Sequence, residues 1–343
     1  MKLSVLDQTP IRKGSNAGDA LQESIELARL TDRLGYTRYW ISEHHNTLLL
    51  AGAAPEVLLA RIGAETRRIR LGSGGIMLTN HSALKVAENF RLLEALYPGR
   101  IDLGLGRAPG GDRDTSRLLN PSNEFDPQAY IDQIRELSNF LTETPTPENA
   151  NGKIRAIPSI PTVPDLWILT SSGESAYLAA HFGIALSYAQ FINPVGGYEA
   201  TRLYKERFRP SGHLSAPLTN VGIFAFCSND EEKVERFKAL MEYRFLSFER
   251  GDFNHLYSYE DIRDNQYSER DLHRLTWHRN RYIAGTPAFV EMEFTKLAAT
   301  LDTDEIVIST YGESAEDRFE SYEILAKIFL QKQAAFHAKI ERI

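Results

Sequence analysis

Several short stretches of the sequence combine residues that bind ligands or move protons with residues typical of buried strands. In WISEHHN at residues 40–46, a tryptophan and an isoleucine are followed directly by Glu43, His44 and His45. An imidazole titrates near neutral pH, so it can exchange a proton or form a hydrogen bond with a bound molecule. The alternative is an ordinary strand end in contact with solvent.

Metal binding is a second interpretation of this cluster. Successive residues of an extended chain point to opposite faces, so His44 and His45 do not both face one pocket unless the chain turns between them. A metal site also needs further ligands. The acidic and imidazole side chains available elsewhere are Asp7, Asp102 and His81. They follow no metal-ligand spacing, so we predict no metal site and keep a metal-dependent hydrolase as the less favoured alternative.

TSSGESA at residues 170–176 places small hydroxyl residues and a glycine before a predicted helix. The backbone N–H groups and the positive end of the helix dipole then point to one place, which favours an anion such as phosphate. The candidate ligands are Ser171, Ser172 and Ser175, and Arg107 after another predicted strand adds a charge-assisted contact. The alternative is that a serine only caps the helix.

Glycines replace the usual β-branched residues in the predicted strand LGSGGIM. At Gly74 and Gly75 they allow the backbone to approach a flat ligand, or alternatively they mark a bulge or a bend in the sheet. The string GLGRAPGG at residues 104–111 is similar to a dinucleotide-binding GxGxxG motif, but it precedes no convincing helix. We therefore do not predict a Rossmann site.

Hydrophobic periodicity predicts eight strands that alternate with eight helices. The strands are predicted at residues 3–6, 38–42, 69–78, 100–105, 166–170, 184–189, 220–228 and 304–310. The helices are predicted at residues 19–34, 55–66, 82–97, 126–143, 175–183, 195–208 and 230–250 and at the C-terminus. Such alternation implies parallel strands joined by right-handed crossovers. The predicted fold class is an α/β (β/α)8 TIM barrel, with an open doubly wound sheet as the alternative.

The chain is longer than a barrel requires. An eight-fold barrel needs about 250 residues, and the chain has 343. We therefore predict a single domain over residues 1–343 with insertions near 106–125 and 251–283. The second insertion is either a lid or substrate-facing segment, or a dimer contact or surface loop.

The predicted barrel places the stretches described above on one face. In both candidate folds the ligand lies at the carboxyl ends of the strands, and all of these stretches are predicted there.

Composition narrows the classes of partner. The net charge of −7 argues against general affinity for nucleic acid, and the single cysteine, Cys227, excludes an internal disulfide and a cysteine-rich zinc site. No run of about 18 apolar residues is present, and the N-terminus lacks the pattern of a signal peptide. We expect a cytoplasmic protein without a membrane segment, whose partners are small molecules or a second copy of itself.

Taken together, these stretches resemble a known family. WISEHHN, the run LGSGGIMLTNHSALKVAENFRLLEALYPGRIDLGLGRAPGG, TSSGESAYLAAHFG and AGTP at residues 284–287 resemble the bacterial luciferase-like flavin monooxygenases in order, spacing and setting. The resemblance implies a (β/α)8 barrel that binds reduced FMN, supplied by a separate flavin reductase, and uses oxygen to oxidise a small organic substrate. It also implies a homodimer.

The resemblance further implies roles for individual residues. His44 matches a histidine implicated in catalysis at the flavin, and Glu43 matches an acid that supports the structure. Gly74-Gly75 matches the position of a non-proline cis peptide against the flavin ring. The implied phosphate ligands are Arg107, Ser172 and Ser175.

One difference between this sequence and the light-emitting luciferase limits what the resemblance implies. The light-emitting luciferase has a reactive cysteine beside the phosphate arginine, whereas this chain has Gly106. Light emission is therefore not expected. A related deazaflavin-dependent oxidoreductase, which transfers hydride without oxygen, is the principal alternative function.

Overall fold

The computed structural model describes residues 1–108, 110–122, 126–144 and 153–331, so part of the predicted insertion at 106–125 lies outside the described residues. The described part of the chain contains nine strands. They are β1 (Lys2–Asp7), β2 (Arg38–Ile41), β3 (Arg70–Met77), β4 (Ile101–Gly106), β5 (Asp165–Thr170), β6 (Ala185–Ala189), β7 (Thr219–Cys227), β8 (Tyr282–Gly285) and β9 (Glu305–Ser309).

Eight of these strands close a parallel barrel. Strands β1 to β6 pair in chain order, β6 pairs with β7, β7 with β9, and β9 with β1. The closed pairing confirms the TIM barrel and shows that the open doubly wound alternative is wrong. Every predicted strand agrees with its observed bounds to within about one residue, because each is a short apolar run bounded by polar or glycine-rich sequence.

Strand β8 was not predicted. It pairs with residues 224–227 of β7, beyond the stretch of β7 that pairs with β6. Phe224 pairs with Tyr282 of β8 and with Ser309 of β9, so β8 lies on the same edge of β7 as β6 and extends the wall above it. Its four residues are too few to show a period, and two of them belong to the predicted insertion at 251–283.

Twelve α-helices are described. They are α1 (Ala17–Leu34), α2 (Pro55–Glu65), α3 (Ala83–Leu96), α4 (Arg113–Leu119), α5 (Pro127–Thr142), α6 (Gly173–Phe182), α7 (Gly197–Arg207), α8 (Glu231–Glu249), α9 (Tyr259–Ile262), α10 (Glu269–His278), α11 (Pro287–Thr300) and α12 (Ala315–Ala326). The predicted eight are confirmed. Helices α4, α9 and α10 lie in the insertions, and α11 was missed although it begins with a proline. Among the described helices, none combines the length and apolar character needed to cross a membrane.

A ring of paired charges closes the amino-terminal end of the barrel. Asp102 is fully buried and accepts hydrogen bonds from Arg38 at 3.0 Å, Arg70 at 2.6 Å and Trp40 Nε1 at 2.9 Å. Arg38 also donates to buried Glu305 at 2.6 Å. Burial alone would lower the pKa of Arg38, but the two carboxylates raise it above its ordinary value. This end of the barrel is therefore a saturated ion-pair network.

Candidate active site

The predicted site residues come together on one half of the carboxyl-terminal rim. Strands β2, β3, β4 and β5 are neighbours in the barrel. His44 follows β2, Gly74-Gly75 lies near the end of β3, and Arg107 follows β4 directly. Ser172 follows β5 and precedes α6. Residues that are up to 128 positions apart in sequence, from 44 to 172, thus face one region.

Glu43 anchors the loop that carries the histidines. Its buried carboxylate accepts hydrogen bonds from His45 Nε2 at 2.7 Å, His81 Nε2 at 2.8 Å and the Met77 backbone N–H at 2.8 Å. Burial alone would raise its pKa, but the hydrogen bonds from the two histidines lower it to about 2. Glu43 therefore joins the loop after β2 to the end of β3. His81 is a partner that sequence analysis considered only as a metal ligand.

His44 has a different environment from its neighbour. It is half-buried, its Nδ1 lies 3.1 Å from Ser42 Oγ, and its backbone N–H donates to the Gly52 carbonyl at 3.0 Å. Burial lowers the pKa of His44 from 6.5 to about 4, so the imidazole is neutral at pH 7. Within the described ranges its Nε2 has no hydrogen-bond partner. That nitrogen is free to meet a ligand.

The metal candidates are engaged elsewhere. Asp7 accepts hydrogen bonds from Arg318 at 2.7 Å and from the Thr9 backbone N–H at 2.8 Å, and Asp102 lies at the opposite end of the barrel. Residues 1–108, 110–122, 126–144 and 153–331 contain no group of three His, Cys, Asp or Glu side chains placed to hold a metal ion. The described residues therefore offer no set of metal ligands that would support the metal-dependent hydrolase alternative.

The paired glycines of β3 mark an irregularity in the barrel wall. The Gly74-Gly75 peptide bond is cis, and the pairing register with β4 shifts at this point. A Cβ atom at Gly74 would lie 2.5 Å from Leu6 Cδ1, and one at Gly75 would lie 2.9 Å from the Gly104 carbonyl oxygen. The register shift agrees with the bulge alternative, and the close contacts leave no room for a side chain at either glycine; the approach of this peptide to a flat ligand stays a prediction.

The N-terminus of α6 lacks a side-chain cap. Ser172 occupies the N-cap position, but its side chain makes no capping hydrogen bond, so the helix-capping alternative is wrong for this residue. Ser175 is buried in the first turn, and Ser171 is half-buried with its carbonyl accepting from Asn193 Nδ2 at 3.0 Å. The first N–H groups of a helix require acceptors, and an anion is a suitable one.

Arg107 lies beside that helix end. Its Nη1 is 3.1 Å from Glu174 Oε2, and Glu174 is in the first turn of α6. Both side chains are exposed, and an exposed ion pair contributes only about 0–1 kcal/mol, so a phosphate can replace the carboxylate at little cost. Glu174 was not predicted as a partner of Arg107, although acidic residues favour the first turn of a helix.

The insertion at 251–283 contacts the loop next to the histidines. The Thr47 hydroxyl donates to the Phe253 carbonyl at 3.4 Å, and the Leu48 backbone N–H donates to Asn254 Oδ1 at 3.0 Å. Phe253 is exposed and stacks on Phe248 of α8. The start of the insertion therefore lies near His44, at the edge of the candidate site.

Comparison with known proteins gives close relatives over nearly the whole chain. The chain is 44% identical over 330 residues to the uncharacterised protein YwcH of Bacillus subtilis (strain 168), covering 96% of this chain and 99% of that protein. It is 33% identical over 332 residues to the N-acetyl-S-alkylcysteine monooxygenase of the same organism, covering 96% and 98%. The crystal structure of apo-MsnO8 superposes with a TM-score of 0.87 at 35% identity, covering 96% and 98%.

More distant solved structures share the fold and use two kinds of cofactor. The oxygenating constituent of 3,6-diketocamphane monooxygenase from Pseudomonas putida, in complex with FMN, has a TM-score of 0.71 at 19% identity, covering 97% of this chain and 98% of that one. An F420-dependent secondary alcohol dehydrogenase has a TM-score of 0.64 at 13% identity, covering 96% and 98%. FMN users and F420 users therefore both occur in this fold.

A family model described as luciferase-like monooxygenase matches residues 1–314. These residues include all nine described strands and every candidate site residue discussed above. The match covers most of the chain, and the relatives of 33% to 44% identity cover almost all of it. The chain belongs to the luciferase-like monooxygenase family.

Proposed function

We propose that the protein is a flavin-dependent monooxygenase that uses reduced FMN and molecular oxygen to oxidise a small organic substrate. The observation that carries this proposal is the position of Arg107 beside the uncapped N-terminus of α6. A guanidinium and a helix N-terminus that meet at the carboxyl ends of barrel strands form a site suited to a phosphate group.

The residues present fit the cofactor. The FMN phosphate would be held by Arg107, Ser171, Ser172 and Ser175. Gly74-Gly75, which has no side chain to obstruct a planar group, would face the ring system. Bound reduced FMN supplies the electrons that activate oxygen, and in such enzymes the protein contributes binding, orientation and electrostatics.

His44 is the residue that we propose to hold or move a proton. Its imidazole is neutral at pH 7, and Nε2 has no partner within the described residues. Because the ring nitrogen Nδ1 contacts Ser42, the orientation of that hydroxyl determines whether Nε2 donates or accepts. Glu43, tied to His45 and His81, holds the loop in place.

Partners and substrate are the next part of the proposal. The similarity to N-acetyl-S-alkylcysteine monooxygenase supports a small organic substrate and makes thioethers the first class to examine. A separate flavin reductase is the proposed electron source, and a homodimer is the proposed assembly. The rival function is hydride transfer with a deazaflavin, because an F420-dependent dehydrogenase shares the fold.

The first test is the affinity of an Arg107→Ala variant for reduced FMN under anaerobic conditions. Loss of a charged hydrogen bond costs about 1.5–3 kcal/mol, which corresponds to a roughly 10- to 150-fold weaker binding. Arg202→Ala is a matched control, since Arg202 is similarly exposed (46% against 41% for Arg107) and is also ion-paired. Unchanged affinity of Arg107→Ala contradicts the phosphate assignment.

The second step separates the two cofactor classes. Wild-type protein is titrated in parallel with reduced FMN and with a reduced deazaflavin, and oxygen is then admitted in the presence of thioether substrates. Binding of FMN followed by oxygen-dependent product formation supports the proposal. Binding of the deazaflavin alone favours the hydride-transfer alternative.

A further inference from the structure

A small cavity of about 60 Å³ lies between α8 and the loops that follow β1 and β9. Those loops belong to the carboxyl-terminal rim, so the cavity opens on the same face as the candidate site. Its apolar wall consists of Pro10, Ile11, Phe237, Leu240, Met241 and Leu256. One water needs about 10–15 Å³ of such volume, so the cavity has room for a group the size of a carboxylate.

Arg244 of α8 lines this cavity. Its guanidinium carbon lies 4.6 Å from the centre of the Tyr311 ring, and the side chain is half-buried. Across the described ranges, Arg244 forms no ion pair with a carboxylate. Burial lowers the pKa of Arg244, and the neighbouring Tyr311 phenol, rather than a carboxylate, is the group that counteracts this effect. An arginine nevertheless stays protonated in proteins, so the cavity contains an uncompensated positive charge.

The other charged residues of the cavity are all compensated. Arg12 is bonded to Glu23, and Lys13 is bonded to Asp261. The third, Glu313, accepts a hydrogen bond from the Tyr259 backbone N–H at 3.3 Å and lies 3.8 Å from an Arg236 nitrogen. Arg244 therefore differs from its surroundings in lacking a counter-charge, which is unfavourable unless a ligand supplies one.

Contacts connect this cavity to the loop of His44. The Tyr311 hydroxyl donates to Gln8, which directly follows β1. Next to it, the Ser42 backbone N–H donates to the Asp7 carbonyl at 3.2 Å, and Ser42 is the residue in contact with His44. Strands β1 and β2 are neighbours, whereas Arg107 follows β4. The two arginines therefore lie on either side of His44 around the rim.

We propose that Arg244 and this cavity bind a carboxylate group carried by the organic substrate. The inference rests on the proposed function and narrows it to substrates with an apolar body and an anionic end. Arginine binds carboxylates by two parallel hydrogen bonds, and the apolar wall suits the hydrocarbon part adjoining the carboxylate.

The test compares acids with their neutral amides. N-acetyl-S-benzylcysteine and 3-phenylpropionate, each with its primary amide, are titrated by calorimetry into wild-type protein and into Arg244→Gln, Arg244→Lys and Lys238→Gln variants. Lys238 is the control, because it lies on α8 but is paired with Glu235. We expect the wild type and Lys238→Gln to prefer at least one acid over its amide by about 10-fold or more. Arg244→Gln loses that preference and Arg244→Lys keeps part of it.

Two results overturn the proposal. One is wild-type protein that binds neither acid more tightly than its amide, and the other is a correctly folded Arg244→Gln variant that retains the preference. Circular dichroism and thermal unfolding establish that the variants fold.

Reduced-FMN titration separates this inference from the proposed function. Arg244→Gln should bind FMN like the wild type. If it loses FMN affinity while Arg107→Ala does not, the anion at Arg244 is the FMN phosphate and the carboxylate assignment is wrong. A wild type that prefers the acids but binds no FMN overturns the monooxygenase proposal and supports the carboxylate site.

Discussion

The two ends of the barrel treat polar groups in opposite ways. At the amino-terminal end, Arg38, Arg70, Asp102 and Glu305 satisfy one another in a buried network. At the carboxyl-terminal end, His44 Nε2 and the guanidinium of Arg244 have no charged or hydrogen-bonded partner in the part of the chain that the structure describes. The amino-terminal network therefore stabilises the fold, whereas the groups at the carboxyl-terminal end remain available to a ligand.

The physical reason is the cost of burying polar groups. A charge removed from water must be paired or must shift its pKa, and an unpaired hydrogen-bonding group away from water is unfavourable by about 1–3 kcal/mol. The amino-terminal network avoids that cost within the protein. The rim groups retain it in part, and a ligand that pairs with them would relieve it.

The largest expected effect is at the amino-terminal end. Asp102→Ala leaves Arg38 and Arg70 with one carboxylate partner fewer in a buried setting, and breaking a buried pair in this way costs about 3–5 kcal/mol. We expect this loss in the free energy of unfolding, measured with urea, and an unchanged FMN affinity of the folded fraction. Lys2→Gln is the control, since its pair with Asp304 is exposed and contributes at most about 1 kcal/mol. Similar losses in the two variants would contradict the comparison.

A substitution at the rim should have a somewhat smaller effect than Asp102→Ala. That effect should be on turnover rather than on stability. His44→Ala should keep FMN affinity and lower turnover by about 100-fold, or ~2.7 kcal/mol, the lower range for loss of a proton-transfer group. Turnover is measured as product formed from a substrate that the wild type oxidises. His181→Ala, which removes an exposed histidine of α6, is the control. Normal turnover of His44→Ala would exclude its catalytic role.

The smallest effect concerns the pH dependence of stability. The folded protein holds the pKa of His44 at about 4, whereas its ordinary value is 6.5. Between those values the unfolded chain binds a proton that the folded chain does not, so His44 makes the protein less stable as pH falls from 6.5 to 4. His44→Asn should remove about 1–2 kcal/mol of the stability difference between pH 7 and pH 5. Parallel urea unfolding at both pH values measures it, and an identical pH slope in the two proteins would refute the burial argument.

The barrel was predictable because each of its eight strands is a short apolar run bounded by polar or glycine-rich sequence. The common position of Arg107 and the serines before α6 on one rim was also predictable, since parallel strands end at the same face of a barrel. The family resemblance then singled out His44 and Gly74-Gly75. The cis peptide at those glycines is as the resemblance implied.

Partners across long sequence distances were not predictable. Glu174 reaches Arg107 across 67 positions, and Tyr311 reaches Gln8 across 303. Neither contact leaves a local period or motif. The significance of Arg244 depends on its having no ion pair with a carboxylate among the described residues, which only a three-dimensional arrangement reveals. Strand β8 was missed for a simpler reason, because four residues carry too little pattern.

Strand β8 also separates the segment that precedes it from the strands that close the barrel. The segment between α8 and β8 leaves from the end of a long helix and returns to the upper half of β7 by backbone pairing, above the point where β6 ends. Barrel closure depends on β6, β7 and β9 and not on this segment. A change in the length or sequence of residues 251–281 would therefore leave the eight closing strands paired, while it would alter the contacts that Phe253 and Asn254 make with the loop after His44.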